Sequence, residues 1–244
     1  MLDLVQTDFW KLRRKKIIWL MLFASLVMPF FATLLFGYLG KTDVEPLQFY
    51  KWSSFGYTLF IILPFVLGML SAMLMQNEKQ NDILKQLWIV PVNKVGFFLS
   101  KFLVLTMYSF LFMIINALAS ALFGVLSGYV SFSWESILYL IEKCIEIGLL
   151  TSFAMLPILA IAGMAKGYIL PICSTLIYAF LGFILMGINE YLHPITSVAV
   201  IIMRNGDIPG VTFTQAINLP QAFLCICIWD IVAVLLMVIS LRKK

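Results

Sequence analysis

Six long apolar runs, separated by short polar segments, constrain this sequence more than any other feature. They cover approximately residues 17–39, 55–75, 102–128, 147–165, 168–188 and 222–241. About 20 apolar residues in a helix cross the hydrocarbon core of a bilayer. Backbone groups in lipid must be hydrogen-bonded internally, so each run is predicted to be helical, with bends at Pro29, Pro64 and Pro157. We therefore expect one all-α, polytopic membrane domain over residues 1–244, with six transmembrane helices.

The composition excludes an ordinary soluble domain. Hydrophobic residues make up 62% of the chain and charged residues 12%, whereas soluble domains are roughly half apolar and a quarter charged. A basic cluster precedes the first run, as it does in a secretory signal, but this run continues to Leu39 without a small-residue cleavage site. We therefore expect the first run to be retained as a span.

The distribution of Lys and Arg predicts the orientation of the helices. If the N-terminus is cytoplasmic, 13 of the 17 basic residues fall on inner segments, and only Lys41, Lys51, Lys143 and Arg204 fall on outer ones. Cytoplasmic flanks are enriched in basic residues, so both termini are expected to be cytoplasmic. Because the basic residues sit at the ends of apolar runs, the net charge of +5 does not indicate a nucleic-acid partner.

Residues 1–16 are predicted to form an amphipathic helix on the inner membrane surface. The apolar residues Leu2, Val5, Phe9 and Leu12 recur at helical spacing. The charged residues Asp8, Lys11, Arg14 and Lys15 are expected to lie elsewhere on the helical wheel. The pattern leaves two roles open, a positive-inside anchor without a partner or a docking element for a cytoplasmic protein.

The inner loop over residues 76–101 is predicted to contain a short helix with an apolar stripe. Ile83 with Leu87, and Leu84 with Trp88, are pairs at i, i+4 spacing. The helix is expected to end before Pro91, since the residue before a proline is pushed out of the helical region. An exposed apolar stripe needs a cover, which is either the headgroup region or another protein.

This loop resembles the permease subunits of type-2 ATP-binding-cassette exporters. In that family the loop carries an acidic residue, leucines, a proline and basic residues, with a glycine where this chain has Asn81. The matching positions, in order, are Glu78, Leu84, Leu87, Pro91, Lys94 and Lys101. The resemblance implies a coupling helix that contacts the ATPase subunit through Glu78, Asp82, Ile83, Leu84, Leu87, Trp88, Pro91 and Lys94. It likewise implies that Leu2, Val5, Phe9 and Leu12 belong to the connecting helix of the family.

The resemblance also implies a function. The chain would be a permease in a bacterial cell membrane, working with a second permease copy or a homologous permease and with two ATPase subunits. The opening, TDFWKLRRKKIIWL, is most similar to permeases of bacterial self-protection exporters, which remove lantibiotics or bacitracin-like peptides. An amphipathic peptide and membrane lipid are therefore the expected small partners. Two other functions remain open, an ion-gradient-driven transporter or channel and a non-transporting assembly protein.

The chain itself is not expected to be an enzyme or to bind a cofactor. A phosphate-binding loop needs the pattern GxxxxGK[ST], and the nearest match, which ends in Gly40, Lys41 and Thr42, has Leu35 in place of its first glycine. ATP and Mg²⁺ are therefore expected on the partner subunit. His193 is the only histidine, which argues against a multi-histidine metal site.

The long outer segment over residues 189–221 is predicted to contain a re-entrant or interfacial element. Its apolar stretch, residues 195–203, is too short to cross a bilayer. Irregular or short helical backbone at membrane depth survives only when it is buried in protein or lines a cavity. The family resemblance implies the same element, since these exporters carry short external helices between the fifth and sixth spans.

Three acidic residues are candidate functional groups in or near the membrane. Glu142 and Glu146 lie one helical turn apart on the outer side, where they either attract a cationic peptide or form an amphipathic surface stretch with Lys143. Asp230 lies well inside the sixth run, where an ionised carboxylate costs about 2.5–3.5 kcal/mol. It is expected either to pair within the bundle or to line the translocation path.

Overall fold

A computed structural model describes residues 2–40, 44–80, 94–204 and 216–242 of the chain. Its regular structure over these ranges is entirely helical, and six helical segments are long and apolar enough to cross a membrane. This confirms the predicted all-α polytopic fold. The six spans are Lys16–Tyr38, Pro46–Lys79, Val95–Leu126, Trp134–Met164, Ile169–Met186 and Leu219–Ile239.

Several spans are composed of more than one helical segment. The N-terminal helix α1 (Leu2–Arg13) precedes them, as predicted. The first span consists of α2 (Lys16–Phe23), a 3₁₀ turn (Ala24–Leu26) and α3 (Val27–Tyr38). The second contains α4 (Pro46–Tyr50), two π-helical segments (Lys51–Phe55 and Thr58–Ile62) and α5 (Leu63–Gln80). The others are α6 (Lys94–Leu126), α7 (Trp134–Ala154) with α8 (Leu156–Met164), α9 (Ile169–Met186), the short helix α10 (Pro194–Met203) and α11 (Leu219–Arg242).

The second and fourth spans begin well before the apolar runs that predicted them. Helical structure starts at Pro46 instead of residue 55, and at Trp134 instead of residue 147. The predicted runs include only the continuous apolar residues, whereas the helical structure also includes the more polar residues that precede them. The N-terminus of α7 is capped by Ser133, whose hydroxyl oxygen accepts a hydrogen bond from the Ser136 N–H.

Two of the three bends predicted at prolines have an identifiable local structure. Pro29 has no N–H to donate to the Ser25 carbonyl, and the Asn116 side chain donates to that carbonyl instead, at 2.7 Å. Near Pro157, the fourth span changes from α7 to α8 at Met155, whose backbone leaves the regular helical geometry. A neighbouring helix thus restores the hydrogen bond that Pro29 removes, as expected for proline in a membrane helix.

The second span lies at the centre of the bundle. In its apolar segment, 78% of the residues are buried within the protein, and the corresponding share in the fourth span is 67%. The first, fifth and sixth spans are only 33%, 33% and 28% buried, so they present broad apolar faces to their surroundings. Around this centre, α6 packs along α7, α5 packs against α8 and α9, and α11 packs against α8 and α10.

A short buried helix fills the outer end of the bundle between the fifth and sixth spans. All ten residues of α10 are buried, and they pack against α7, α9 and α11. His193 caps its N-terminus by accepting a hydrogen bond from the Ile195 N–H at Nδ1. At Gly182 of α9 a Cβ atom would lie 3.0 Å from the same Nδ1, so a larger residue there would require the imidazole to shift by a few tenths of an ångström. The predicted short element is therefore a helix enclosed by protein, as its backbone chemistry requires.

Candidate functional site

Lys101 is the centre of a buried group of charges at the inner ends of three helices. Its Nζ atom donates to both carboxylate oxygens of Asp8, at 2.7 and 2.8 Å, and to Oε1 of Glu78 at 3.0 Å. All three side chains are nearly inaccessible to solvent, at 2% exposure for Lys101 and 4% for each acid. The Lys11 ammonium also donates to Glu78 Oε1, at 3.0 Å. Two cations therefore compensate two carboxylates.

We refer to Asp8, Lys11, Glu78 and Lys101 as the inner ion cluster. It joins α1, the end of α5 and the beginning of α6. Removal of one partner from a buried ion pair typically costs 3–5 kcal/mol, because it leaves the other charge buried without compensation. These helices are therefore held in one arrangement by contacts that are expensive to break individually.

Asp8 lies on the buried face of α1, which corrects the prediction that it would lie away from the apolar residues of this helix. It shares that face with Val5 and Leu12, and Phe9 is half-buried beside them. Burial raises the pKa of the Asp8 carboxyl, and the nearby Lys101 ammonium opposes this shift. The amphipathic pattern missed this placement because Asp8 is polar and its compensating charge lies 93 residues away in sequence.

A second set of contacts ties the end of α5 to the end of the fourth span. Gln76 Nε2 donates to the carbonyls of Ala162 and Ala165, and Lys79 Nζ donates to that of Gly163 at 2.7 Å. The last carbonyls of a helix have no partner within the helix and carry partial negative charge. A cation and an amide from the second span thus satisfy the C-terminus of α8.

These contacts surround the position at which the predicted coupling loop joins the bundle. Glu78 lies two residues before the end of α5, and Lys94 begins α6. The other residues predicted to contact the ATPase subunit lie outside the described part of the chain: Asp82, Ile83, Leu84, Leu87, Trp88 and Pro91. Their role stays a prediction. Glu78 itself belongs to the inner ion cluster, where it pairs with Lys11 and Lys101 of the same chain.

Sequence reasoning singled out Glu78 but did not identify the residues that surround it. The sequence patterns give no individual role to Lys11, Gln76 or Lys79, and they include Lys101 only as the last position of the loop pattern. A usable signal existed, since Asp8 falls three residues after Val5 and four before Leu12, which places it on the apolar face of α1. An acid at such a position predicts a buried cation on a neighbouring helix.

On the outer side, Glu146 bridges two cations and connects α7 to the end of α10. It accepts a hydrogen bond from Lys143 at 2.9 Å and forms an ion pair with Arg204. Lys143 is almost fully buried, whereas Glu146 and Arg204 are 20% and 32% exposed. Glu142 is exposed on the same helix. The proposed attraction of a cationic peptide by Glu142 and Glu146 remains a prediction.

Asp230 lies half-buried on α11, close to an aromatic group that includes Tyr178. The rings of Tyr178 and His193 are 4.2 Å apart between centroids, and Trp229 packs near both. The Oδ1 atom of Asp230 is buried and has no hydrogen-bond partner among the described residues. Both roles proposed for this residue, pairing within the bundle and lining a path, remain open.

An apolar groove lies between the first and second spans. It has a volume of about 540 Å³, and the side chains that line it include Phe31, Tyr38, Trp52 and Tyr57. Tyr38 and Tyr57 are exposed at the protein surface. In a bilayer this groove is accessible to acyl chains, to an apolar part of a substrate or to another membrane helix.

Comparison with known proteins identifies one family. The model of a family described as ABC-2 family transporter protein matches residues 4–182, which is most of the chain. The matched part includes most of α1, the inner ion cluster and the first four spans. No curated protein gives a significant match.

Proposed function

The chain belongs to the ABC-2 family of transporter proteins, and we propose that it is the membrane subunit of an ATP-driven exporter that removes antimicrobial peptides from a bacterial plasma membrane. Membership of the family makes it a multi-pass permease that pairs with an ATP-binding-cassette ATPase. The proposal adds two copies of that ATPase, a second permease and an amphipathic peptide of the lantibiotic or bacitracin class as substrate. Its role would be self-protection or resistance.

The observation that carries the proposal is the way in which the predicted coupling loop joins the bundle. The loop leaves α5 and enters α6 near the inner ion cluster, where α1 is attached to both helices. Lys79 and Gln76 attach the same end of α5 to α8. A force applied to the loop would therefore be passed to the second, third and fourth spans together, because none of these ends moves without breaking buried polar contacts.

We propose that the ATPase subunits hold the coupling residues in one position when ATP is bound and in another after hydrolysis. Transmission requires that the two positions favour different arrangements of the spans, since a partner shifts an equilibrium only by its differential affinity for the two states. The ATP-bound arrangement would change how the two permeases meet. Substrate would then leave toward the outer leaflet or the medium.

The distribution of exposed apolar surface supports a second permease and an amphipathic substrate. The first and fifth spans are each only 33% buried in the isolated chain. The groove between the first and second spans adds aromatic surface, including Trp52 and Tyr57. We propose that a second permease packs near the first and fifth spans. The apolar part of a peptide would enter along the groove.

The coupling proposal is tested with the chain and its ATPase subunit purified together and reconstituted in lipid. Leu87→Asp is expected to abolish stimulation of ATP hydrolysis, because a charge on the apolar stripe removes the surface that the partner covers. Membrane insertion should be unchanged. The matched control is Leu126→Asp, which places the same charge at an exposed leucine at the other end of α6. Full stimulation in Leu87→Asp would contradict the coupling role.

The charge reversal Glu78→Lys also tests coupling, but it acts on two features at once. The new lysine would lie beside Lys101 and Lys11 within the inner ion cluster. We expect it to abolish stimulation as well, together with a loss of stability that Leu87→Asp does not show. Comparison of the two variants separates contact with the partner from integrity of the cluster.

The substrate proposal is tested by adding peptides to the same reconstituted complex. A lantibiotic and bacitracin are expected to raise ATP hydrolysis in a dose-dependent manner, and an acidic hydrophilic peptide of similar length should not. If both antimicrobial peptides leave hydrolysis unchanged while the ATPase remains coupled, the complex transports another substrate.

A further inference from the structure

The face of α1 that points away from the bundle carries a cleft. Gln6, Thr7, Trp10, Lys11 and Arg14 line it, and its volume is about 340 Å³. These residues are spaced by three and four positions, so they share one side of the helix. The bundle-facing side of α1 is already occupied through Asp8 and its neighbours. The cleft is therefore a separate surface, and Lys11 is its one lining residue that also takes part in the inner ion cluster.

The cleft is positively charged and contains an accessible aromatic ring. Its two charged lining residues, Lys11 and Arg14, are both cationic. Arg14 is exposed and has no ion-pair or hydrogen-bond partner among the described residues, whereas Lys11 donates to Glu78 at one edge of the cleft. The Trp10 side chain is 65% exposed. A site with this charge suits an anion, and arginine suits phosphate oxygens because its planar group donates two parallel hydrogen bonds.

The position of the cleft relative to the bilayer indicates where such an anion comes from. The helix α1 ends at Arg13, and the first membrane span begins at Lys16. The cleft is therefore next to the inner end of a membrane helix, at the level where tryptophan is enriched and lipid headgroups lie. Anionic lipids of the cytoplasmic leaflet attract basic segments beside a span.

We propose that this cleft is a binding site for the phosphate group of an anionic phospholipid from the inner leaflet. Arg14 is the principal phosphate ligand, Lys11 contributes a second positive charge, and the Trp10 ring packs against the glycerol and upper acyl region. Lys11 belongs both to this site and to the inner ion cluster. A bound headgroup therefore contacts a residue that also binds Glu78. The lipid composition is thus expected to influence the contact between α1 and α5.

The test uses the purified full chain in nanodiscs of phosphatidylcholine mixed with phosphatidylglycerol. A photoreactive phosphatidylglycerol is the probe, and the readout is its enrichment on α1 relative to a photoreactive phosphatidylcholine. Arg14→Gln is expected to lower this enrichment about fivefold, the factor that corresponds to the typical attraction of one basic residue to an anionic surface. Trp10→Ala should reduce labelling of α1 by both probes.

The control is Arg13→Gln, which removes the same charge from the adjacent residue. Arg13 is exposed but does not line the cleft. Enrichment in Arg13→Gln should stay close to that of the unmodified chain. Equal losses in the two variants would show that only the general positive charge of the segment attracts lipid and would overturn the site, as would unchanged enrichment in a folded Arg14→Gln variant.

Two further arms exclude other occupants. Inorganic phosphate and glycerol phosphate should not displace the lipid probe, and displacement by either would assign the cleft to a soluble phosphate. Addition of the ATPase subunit should leave labelling of α1 intact, and loss of labelling would mean that protein covers the cleft. Neither arm depends on transport, so the lipid site and the exporter proposal fail independently of each other.

Discussion

The two ends of the bundle are fastened by different kinds of contact. At the inner end, four charged side chains from three helices neutralise one another, and Lys101 reaches both Asp8 and Glu78. At the outer end, the apolar helix α10 is enclosed by three helices, and its clearest polar links are the His193 cap and the partly exposed pair of Glu146 with Arg204. Packing holds the outer end, whereas buried charge holds the inner one.

This difference fits the coupling role that we propose for the inner end. Buried ion pairs tolerate little displacement, because the charges lose compensation as soon as they separate. Helices joined in this way move as one unit, which would suit an end that receives force from an ATPase, as we propose. Apolar packing has no directional partners, and a partly exposed ion pair contributes little free energy. The outer end can therefore rearrange at a lower cost.

The largest expected effect is at the inner end. Lys101→Met removes the cation that compensates Asp8 and Glu78 and should lower the free energy of unfolding by about 3–5 kcal/mol. Denaturation by SDS of the chain in mixed micelles measures this loss. Combining the change with Asp8→Asn should recover part of it, because Glu78 keeps Lys11 as a partner.

The matched control for this variant is Lys166→Met. Lys166 is an exposed lysine on the same side of the membrane, in the connection between the fourth and fifth spans. Its substitution should leave the unfolding midpoint nearly unchanged, since surface charges contribute little. Similar midpoints for the two variants would show that the inner ion cluster does not hold the helices together.

An intermediate effect is expected at His193. Burial lowers the pKa of this imidazole to about 4, from an ordinary value of 6.5. Between these values the unfolded chain binds a proton that the folded chain does not, so stability falls as the pH drops. The loss at about pH 5 should be about 2 kcal/mol, measured as the shift in thermal unfolding relative to neutral pH.

The variant His193→Asn isolates this contribution. Asparagine is a good N-cap that does not titrate, so α10 should still form while this part of the pH dependence disappears. If the unmodified chain and the variant lose equal stability on acidification, protonation of His193 does not loosen the outer end, and other groups account for the change.

The smallest effect is expected at the link between α7 and the end of α10. Arg204→Gln removes a partly exposed partner of Glu146, while Lys143 keeps its own bond to the same carboxylate. The expected loss is less than about 1 kcal/mol. A double-mutant cycle with Glu146→Gln measures the coupling energy of the pair. A coupling above about 2 kcal/mol would show that both ends are held by charge, which would remove the contrast between them.

Much of the architecture was predictable because it follows from local energetics. The six spans follow from the cost of unpaired backbone groups in lipid, and an apolar stretch of nine residues between two spans predicted the short helix α10. The ends of the spans were less predictable. The second span extends from Pro46 to Lys79, beyond both ends of the apolar run at residues 55–75. Hydropathy does not predict that the polar residues at these ends are helical.

The residues of the candidate site were predicted only in part. The loop pattern indicated Glu78 and the flanking Lys94, but it did not predict that Glu78 would be buried against Lys101. Nor did periodicity predict that Asn116 would replace the hydrogen bond lost at Pro29. Each of these contacts joins different helices, and a local pattern holds no information about which helices become neighbours.

The sequence by itself determined that the chain is embedded in a membrane, how many spans it has, their predicted orientation and the presence of α1. These features depend on the length of the apolar runs and on the positions of the charges. Only the tertiary structure decided which charges neutralise one another. Asp8 and Lys101 are 93 residues apart and meet because the bundle brings α1 against α6. A charge can be buried only where packing supplies its counterpart, and packing is a property of the whole chain.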